Sequence, residues 1–221
     1  MSDMPKAFHL TPAIQRYVVE HSSPIDEVQR SLIAETEALG FVSIMQISPE
    51  QGAFMEQFAR LLGARRVIEV GTFTGYSALC FARALPPDGT LLCCDVSEEW
   101  TAIGRRHWEK AGLASRIDLR IAPAAETLAA LPADAVWDLG FIDADKGGYR
   151  TYYEEILKRL RPNGVILVDN VLWMGTVADP DMEGEDVAAI REFNDFVVSD
   201  PRVEVVMLTI GDGLSMIRKK G

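Results

Sequence analysis

The sequence predicts an α/β fold in which a mostly parallel sheet is wrapped by helices. Three observations carry that expectation. Five short β-branched or apolar runs recur through the middle of the chain, and each is followed by a stretch with helical spacing. Several of the runs are apolar throughout instead of alternating, most clearly VILVD at Val165–Asp169. Strands covered on both faces read this way, because neither face meets water.

Each element has its own punctuation. Thr11-Pro12 starts one helix, and Pro24-Ile25-Asp26-Glu27 starts a second that stops near Gly40. Ser48-Pro49-Glu50-Gln51 joins a hydroxyl N-cap, a proline at the first helical position and a glutamine three after the cap. A helix is therefore expected to run to Leu62, before Gly63. Strands are expected at Arg66–Val70, Thr90–Asp95, Ile117–Ala122, Trp137–Asp143 and Gly164–Asp169. Ser97 caps a helix through Lys110, with Gly112 just beyond it. A helix beginning near Tyr149 is closed by Asn163-Gly164, where the next strand starts. Val203–Leu208 and Leu214–Arg218 flank Gly211-Asp212-Gly213, which reads as an antiparallel hairpin at the end of the sheet. No repeat, low-complexity tract or linker interrupts the pattern. One domain over residues 1–221 is expected, with the helices of residues 1–44 packed on its core.

Composition narrows the function classes. The 221 residues are 48% hydrophobic and 25% charged, which suits an ordinary folded core and excludes disorder as the main state. No apolar run approaches the roughly 18 residues of a membrane span, and the N-terminus lacks the features of a secretory signal. A net charge of −11 repels phosphate backbones and anionic lipid, so neither nucleic acid nor membrane is expected as a partner. Three cysteines, Cys80, Cys93 and Cys94, form no disulfide framework and no zinc spacing. A reduced, cytoplasmic protein is the expectation.

The most informative stretch is Val67-Ile68-Glu69-Val70-Gly71-Thr72-Phe73-Thr74-Gly75-Tyr76-Ser77, a strand running into a glycine-bearing turn and a helix. Open α/β sheets bind nucleotide-like ligands at such turns. The pattern lacks the G-x-G-x-x-G that lets a pyrophosphate approach the backbone, and Thr72-Phe73-Thr74 fills the gap. Asp95 closes the second strand, where a carboxylate accepts both hydrogen bonds of a ribose diol. An adenosine without phosphate, gripped by two acidic groups, is the profile of S-adenosylmethionine. Glu69 would face its amino-acid end or, through water, its ammonium. For the glycines alone, a plain turn with glycine for sterics is the stronger reading; Glu69, Asp95 and the strand–helix context together favour the ligand.

Two further carboxylates end strands. Asp143 closes the fourth and Asp169 the fifth, so neighbouring strands about 4.8 Å apart would bring both to one opening. With the amide of Asn170 they form a hard oxygen set suited to Mg²⁺, or to Mn²⁺ or Ca²⁺, and lack the soft ligands that select zinc or copper. A single such Asp is more often a turn residue; two at matched strand ends favour a metal. Lys146, three residues after Asp143, reaches the same pocket, where a nearby cation would draw a lysine toward neutrality and make it a base. Trp173 lies in the stretch after Asp169 and reads equally as a wall for an aromatic acceptor or as core packing.

The run VIEVGTFTGYSALCFARALPPDG, then CDVSEEW, FIDADK, VDNVLW and IGDGLSMIRKKG, resembles the cation-dependent O-methyltransferases, the group of caffeoyl-coenzyme A and catechol O-methyltransferases. The resemblance extends from about Met45 to the last residue. It implies a Rossmann-like class I methyltransferase fold: seven strands, mostly parallel, with an antiparallel last strand and helices on both faces. It also implies a homodimer and a catechol-type acceptor. Carried over by position, Ile47, Glu69, Gly71, Thr72, Ser77, Asp95, Ala124 and Asp143 fall where the family holds S-adenosylmethionine. Asp143, Asp169 and Asn170 fall on its metal ligands, and Lys146, beside Asp143, on its general base. Asp145, Trp173 and Met174 fall toward the acceptor. The tetrad Asp143-Ala144-Asp145-Lys146 looks like the caffeoyl-type branch, whereas the mammalian catechol enzyme has His-Trp between the same Asp and Lys. Gly147-Gly148 in place of the branch's usual approach to the tyrosine, and Met174 where plant members carry Asn, leave acceptor identity open. Two rival readings differ in class. A nicotinamide-dependent oxidoreductase lacks its third glycine and a Tyr-x-x-x-Lys relay here, and a non-catalytic S-adenosylmethionine binder would have no use for the metal set.

Overall fold

A computed structural model describes residues 10–134 and 136–221. Seven strands form one sheet: β1 (Arg66–Val70), β2 (Thr90–Asp95), β3 (Ile117–Ile121), β4 (Trp137–Ile142), β5 (Leu160–Val168), β6 (Val203–Leu208) and β7 (Leu214–Lys219). Their order across the sheet is β3-β2-β1-β4-β5-β7-β6. The first five pair in parallel, and β7 runs antiparallel to both β5 and β6. The expected fold class and terminal hairpin are both present. The hairpin places its second strand inside the sheet and leaves its first at the edge.

Among the described residues eight α-helices surround the sheet: α1 (Pro12–Glu20), α2 (Glu27–Glu37), α3 (Pro49–Leu62), α4 (Tyr76–Ala84), α5 (Glu98–Lys110), α6 (Ala124–Ala129), α7 (Tyr149–Arg159) and α8 (Glu185–Ser199). Thr11, Asp26, Ser48 and Ser97 cap α1, α2, α3 and α5 through their side-chain oxygens. Gly63 ends α3 in the left-handed conformation, where a Cβ would be unfavourable.

One apolar layer joins Ile68, Val70, Ile142, Ile166 and Val168 to Tyr149, Tyr153 and Ile156 of α7. The other joins Val67, Leu139, Phe141 and Leu167 to Met55 of α3 and Leu79 of α4. The inner strands are buried on both sides, as their uninterrupted apolar sequences require.

Three boundaries differ from expectation by more than one residue. The helix beginning at Tyr149 ends at Arg159, and β5 begins at Leu160 instead of Gly164. Residues 160–163 look like a helix end in sequence, yet Leu160 pairs with Trp137 across an irregularity in the β4–β5 register. Asn163, with φ of 60°, turns the chain within the strand. The second helix stops at Glu37, and a 3-10 turn over Gly40–Met45 follows it.

The N-terminal helices attach unequally. Leu32 and Thr36 of α2 are buried, and Thr36 Oγ1 donates to Thr74 Oγ1 at 2.8 Å, behind the glycine turn. No residue of α1 is buried. Residues 1–9, the start of the segment expected as N-terminal helices, lie outside the described residues.

Candidate active site

The strand order reverses between β1 and β4: from β1 the chain builds outward through β2 and β3, then returns to add β4 on the other side. Crevices at such switch points, outside the carboxyl ends of the strands, are where open α/β sheets hold ligands. The turn after β1 and the turn after β4 meet there. Asp143 N–H donates to Val70 O at 2.8 Å, and Asp169 N–H to Ile142 O at 3.0 Å, so three adjacent strands end in step. Gly71, with φ of +87°, admits this approach: a Cβ on it would lie 2.0 Å from the Asp143 carbonyl oxygen.

On one side of Gly71 lies a buried acid. Glu69 is fully buried, and the Cys93 thiol approaches its Oε1 at 3.6 Å. Its Oε2 has no hydrogen-bond partner, and neither has the Oγ1 of Thr72. Burial pushes the Glu69 carboxyl up to about 8, although Ser77, Thr72 and Cys93 pull it down and the Asp143 charge adds to the rise. Unsatisfied buried oxygens of this kind are costly unless a ligand or water meets them.

Asp95 works on the same turn from β2. Its Oδ2 accepts the Thr72 and Phe73 backbone N–H groups, both at 2.8 Å, and its Oδ1 accepts that of Ser97 at 2.7 Å. The sequence reading gives this carboxylate to a ribose; the structure adds that it shapes the glycine turn and the entry to α5.

On the other side of Gly71, Asp143 and Asn170 meet an ammonium, and the Asp169 carboxyl borders them. Lys146 Nζ donates to Asn170 Oδ1 at 2.7 Å and to the Tyr149 hydroxyl at 2.6 Å, and lies 3.6 Å from Asp143 Oδ1. The Tyr149 hydroxyl in turn donates to the Asp169 carbonyl at 2.9 Å. Asp169 is 3% exposed; its Oδ1 accepts the Asn170 N–H and its Oδ2 the Gln51 amide, each at 2.8 Å. Asp143 keeps 19% of its side chain open. Burial raises the Asp143 carboxyl against the pull of Lys146. Burial, then the Asp143 charge, pushes Asp169 up to about 7. Two crowded carboxyls that resist ionising together favour added positive charge. Asn170, at φ of +56°, holds the strained turn that aims its amide here.

The structure brings Glu69, Gly71, Thr72, Asp143, Lys146, Asp169 and Asn170 to one crevice. Ile47, Ser77 and Ala124 are buried. Trp173 is half-buried, with its ring 5.3 Å from Lys146 Nζ, so it walls this pocket and is not a core residue. Met174 is 81% exposed. Asp145 turns outward and accepts the Tyr152 hydroxyl at 2.6 Å. Among the described residues no three His, Cys, Asp or Glu side chains converge to hold a metal, so any such site here relies on the Asn170 amide as a third ligand. Two participants escape sequence reasoning. Tyr149 reads only as a helix start, and Gln51 only as a capping-box residue 118 positions from its partner.

A family model described as O-methyltransferase matches residues 19–220. The Dictyostelium discoideum protein named Probable caffeoyl-CoA O-methyltransferase 1 is 40% identical over 211 residues, covering 94% of this chain and 92% of its own. The O-methyltransferase from Bacillus cereus, solved in complex with SAH, superposes with a TM-score of 0.86 at 32% identity, covering 94% of this chain and 97% of that one. The O-methyltransferase TomG from Streptomyces achromogenes, involved in tomaymycin synthesis and solved with SAM, gives 0.87 at 29% identity, with 95% and 96% covered.

Proposed function

The chain belongs to the O-methyltransferase family, and from that membership we propose its reaction: divalent-metal-dependent transfer of a methyl group from S-adenosylmethionine to one hydroxyl of a catechol-type small molecule. It is an S-adenosylmethionine-dependent O-methyltransferase of the caffeoyl-CoA/catechol type. That membership sets aside the nicotinamide oxidoreductase and the non-catalytic binder. The observation that supports the finer reading best is the meeting of Asp143, Asp169, Asn170 and Lys146 beside the unpartnered Glu69 oxygen.

The residues present fit both groups. Glu69 Oε2 and Thr72 Oγ1, buried and unsatisfied, suit the ammonium of an amino acid. Gly71, Ser77, Asp95, Ile47 and Ala124 complete the cofactor wall in this reading, with Asp143 at the boundary of the two sites. Asp143 and Asn170 already receive the Lys146 ammonium, and with Asp169 beside them their oxygens are hard ligands of the kind Mg²⁺ takes.

S-adenosylmethionine, when bound, supplies the electrophilic methyl group. A divalent ion, when bound, eases ionisation of a phenol whose pKa is otherwise about 10. In its neutral form Lys146 would take the proton from the hydroxyl to be methylated, and the oxygen would take the methyl as its bond to the sulfonium breaks, leaving the thioether. Tyr149, hydrogen-bonded to Lys146 and anchored on the Asp169 carbonyl, holds the amine toward the pocket. Trp173 and Met174 line the acceptor's entrance and Asp145 borders it; the N-terminal helices and residues 171–184 exclude water over it.

The proposal treats residues 1–221 as one catalytic unit that pairs as a homodimer. The unburied α1, with Tyr17 60% exposed, is a surface that pairing would cover, and light scattering reads the mass. No helix among the described residues is long and apolar enough to cross a membrane. A cytoplasmic location is proposed from the three buried free thiols. The deciding experiment is methylation of a catechol with and without EDTA. Activity should vanish on chelation and return with Mg²⁺ or Mn²⁺; full activity after exhaustive chelation would sink the metal reading.

A further inference from the structure

The reaction outlined above leaves one buried polar side chain in the crevice without a task. Gln51, 2% exposed, belongs to the first turn of α3, where its backbone N–H reaches the Ser48 hydroxyl at 3.4 Å. A capping glutamine ordinarily folds back onto its own helix start. This one points away, and its Nε2 donates to Asp169 Oδ2 at 2.8 Å. The opposite oxygen, Oδ1, takes the Asn170 N–H. The carboxylate is thus held at both ends and cannot rotate without losing a bond.

The surroundings are built around that amide. Gly211, at φ of +55° in the β6–β7 turn, would place a Cβ 2.3 Å from Gln51 Oε1. Glycine there leaves room for the amide, and the amide in turn is pressed between the hairpin and Asp169. The residue type also matters. Lysine or arginine would bring a positive charge against Asp169 and cancel charge that a cation needs. A carboxylate would add a third like charge. An aliphatic side chain would leave a buried carboxylate oxygen without its donor.

We propose that Gln51 is a positioning residue for the divalent-cation site, fixing the Asp169 carboxylate with a neutral hydrogen bond so that its remaining lone pairs face Asp143 and Asn170. The inference rests on the reading of Asp143, Asp169 and Asn170 as that site. Hydrogen bonds behind a metal-ligating carboxylate set its orientation, and their loss typically costs 10–100-fold in metal affinity.

The test is titration with Mn²⁺ alone, reading the free ion by electron paramagnetic resonance, on the full chain and on Gln51→Met. Methionine keeps the length and unbranched shape but has no donor. The Mn²⁺ dissociation constant should rise about 10–100-fold, while S-adenosylmethionine binding by calorimetry stays within about twofold. Mn²⁺ affinity equal to that of the unaltered chain overturns the proposal. So does a parallel loss of Mn²⁺ and S-adenosylmethionine binding, which marks general damage instead of a positioning role. Gln51→Asn, with the same amide on a stem one methylene short, faces the same two outcomes and decides the matter if the methionine variant does not fold. An unaltered chain that binds no Mn²⁺ refutes the cation-site reading itself, so the two failures are told apart.

Discussion

Replacing Glu69 by glutamine tests the cofactor half of the site, and the structure sets both size and pH dependence. The carboxyl ionises at about 8 in the folded chain against an ordinary 4.5, because burial disfavours its charge. A bound ammonium needs that charge. The group is half ionised at pH 8 and mostly ionised above it, where loss of a hydrogen bond to a charged partner costs about 1.5–3 kcal/mol, or roughly 10–150-fold in affinity. At pH 6, two pH units lower, ionising Glu69 costs the unaltered chain about 2.7 kcal/mol, so the disadvantage of Glu69→Gln shrinks toward nothing. Affinity of the unaltered chain should climb up to tenfold per pH unit toward 8, then turn over as an α-amino group with a pKa of about 7.7–8.0 loses its own proton. The variant should lack the climb. Without ligand the sign reverses: Glu69 favours the folded state while protonated, and this stability is lost as pH rises from 4.5 through about 8. Glu69→Gln should therefore gain thermal stability relative to the unaltered chain as pH rises through that window. Calorimetric titration with S-adenosylmethionine from pH 6 to 8.5 reads the first effect and scanning calorimetry the second. Equal affinities at pH 8, or parallel pH profiles, would refute the reasoning.

Two further perturbations address the crevice from its other sides. Lys146→Ala should lower kcat by roughly 10²–10⁴, with the deficit narrowing at high pH as solvent takes over deprotonation, and with S-adenosylmethionine affinity nearly intact; a pH profile parallel to the unaltered enzyme's would reduce Lys146 to a bystander. Gly71→Ala puts a Cβ 2.0 Å from the Asp143 carbonyl at a φ of +87°, so it should destabilise the fold by about 1–3 kcal/mol. That corresponds to a Tm loss of roughly 2–12 °C in a domain of this size, and an unchanged Tm would show that β1 and β4 separate freely.

The sheet was legible because its signals are local. Val67–Val70 and Val165–Val168 are apolar at every position except Glu69, and Ser48 and Ser97 mark the starts of α3 and α5. That single acid inside a strand is the residue on which the proposed cofactor side rests. Asp143, Asp169 and Asn170 can be placed together from sequence because they end apolar runs that read as neighbouring strands, and those strand ends are adjacent in the fold. The β5 start was misjudged because Asn163-Gly164 has the chemistry of a helix stop, and only pairing of Leu160 with Trp137 overrides it. Gln51 and Tyr149 were invisible in their roles for a different reason. Their partners lie 118 and 20 residues away, and nothing in a helix-start sequence says which way a side chain will turn once the sheet is closed.

The place of β7 has a consequence for how the chain is made. β7 follows β6 in sequence but lies between β5 and β6, hydrogen-bonded to both. The turn leading into it also receives the Val171 N–H on the Gly213 carbonyl and the Leu172 N–H on that of Asp212. A nascent chain leaving the ribosome therefore carries β5 with a bare hydrophobic edge, and β6 with nowhere to dock, until residues 214–219 arrive. An unpaired edge of this kind is a template for another copy's strand. Ribosomes stalled or chains cut short within the final strand should thus yield aggregates, with the β5 edge unpaired, and not a smaller working enzyme.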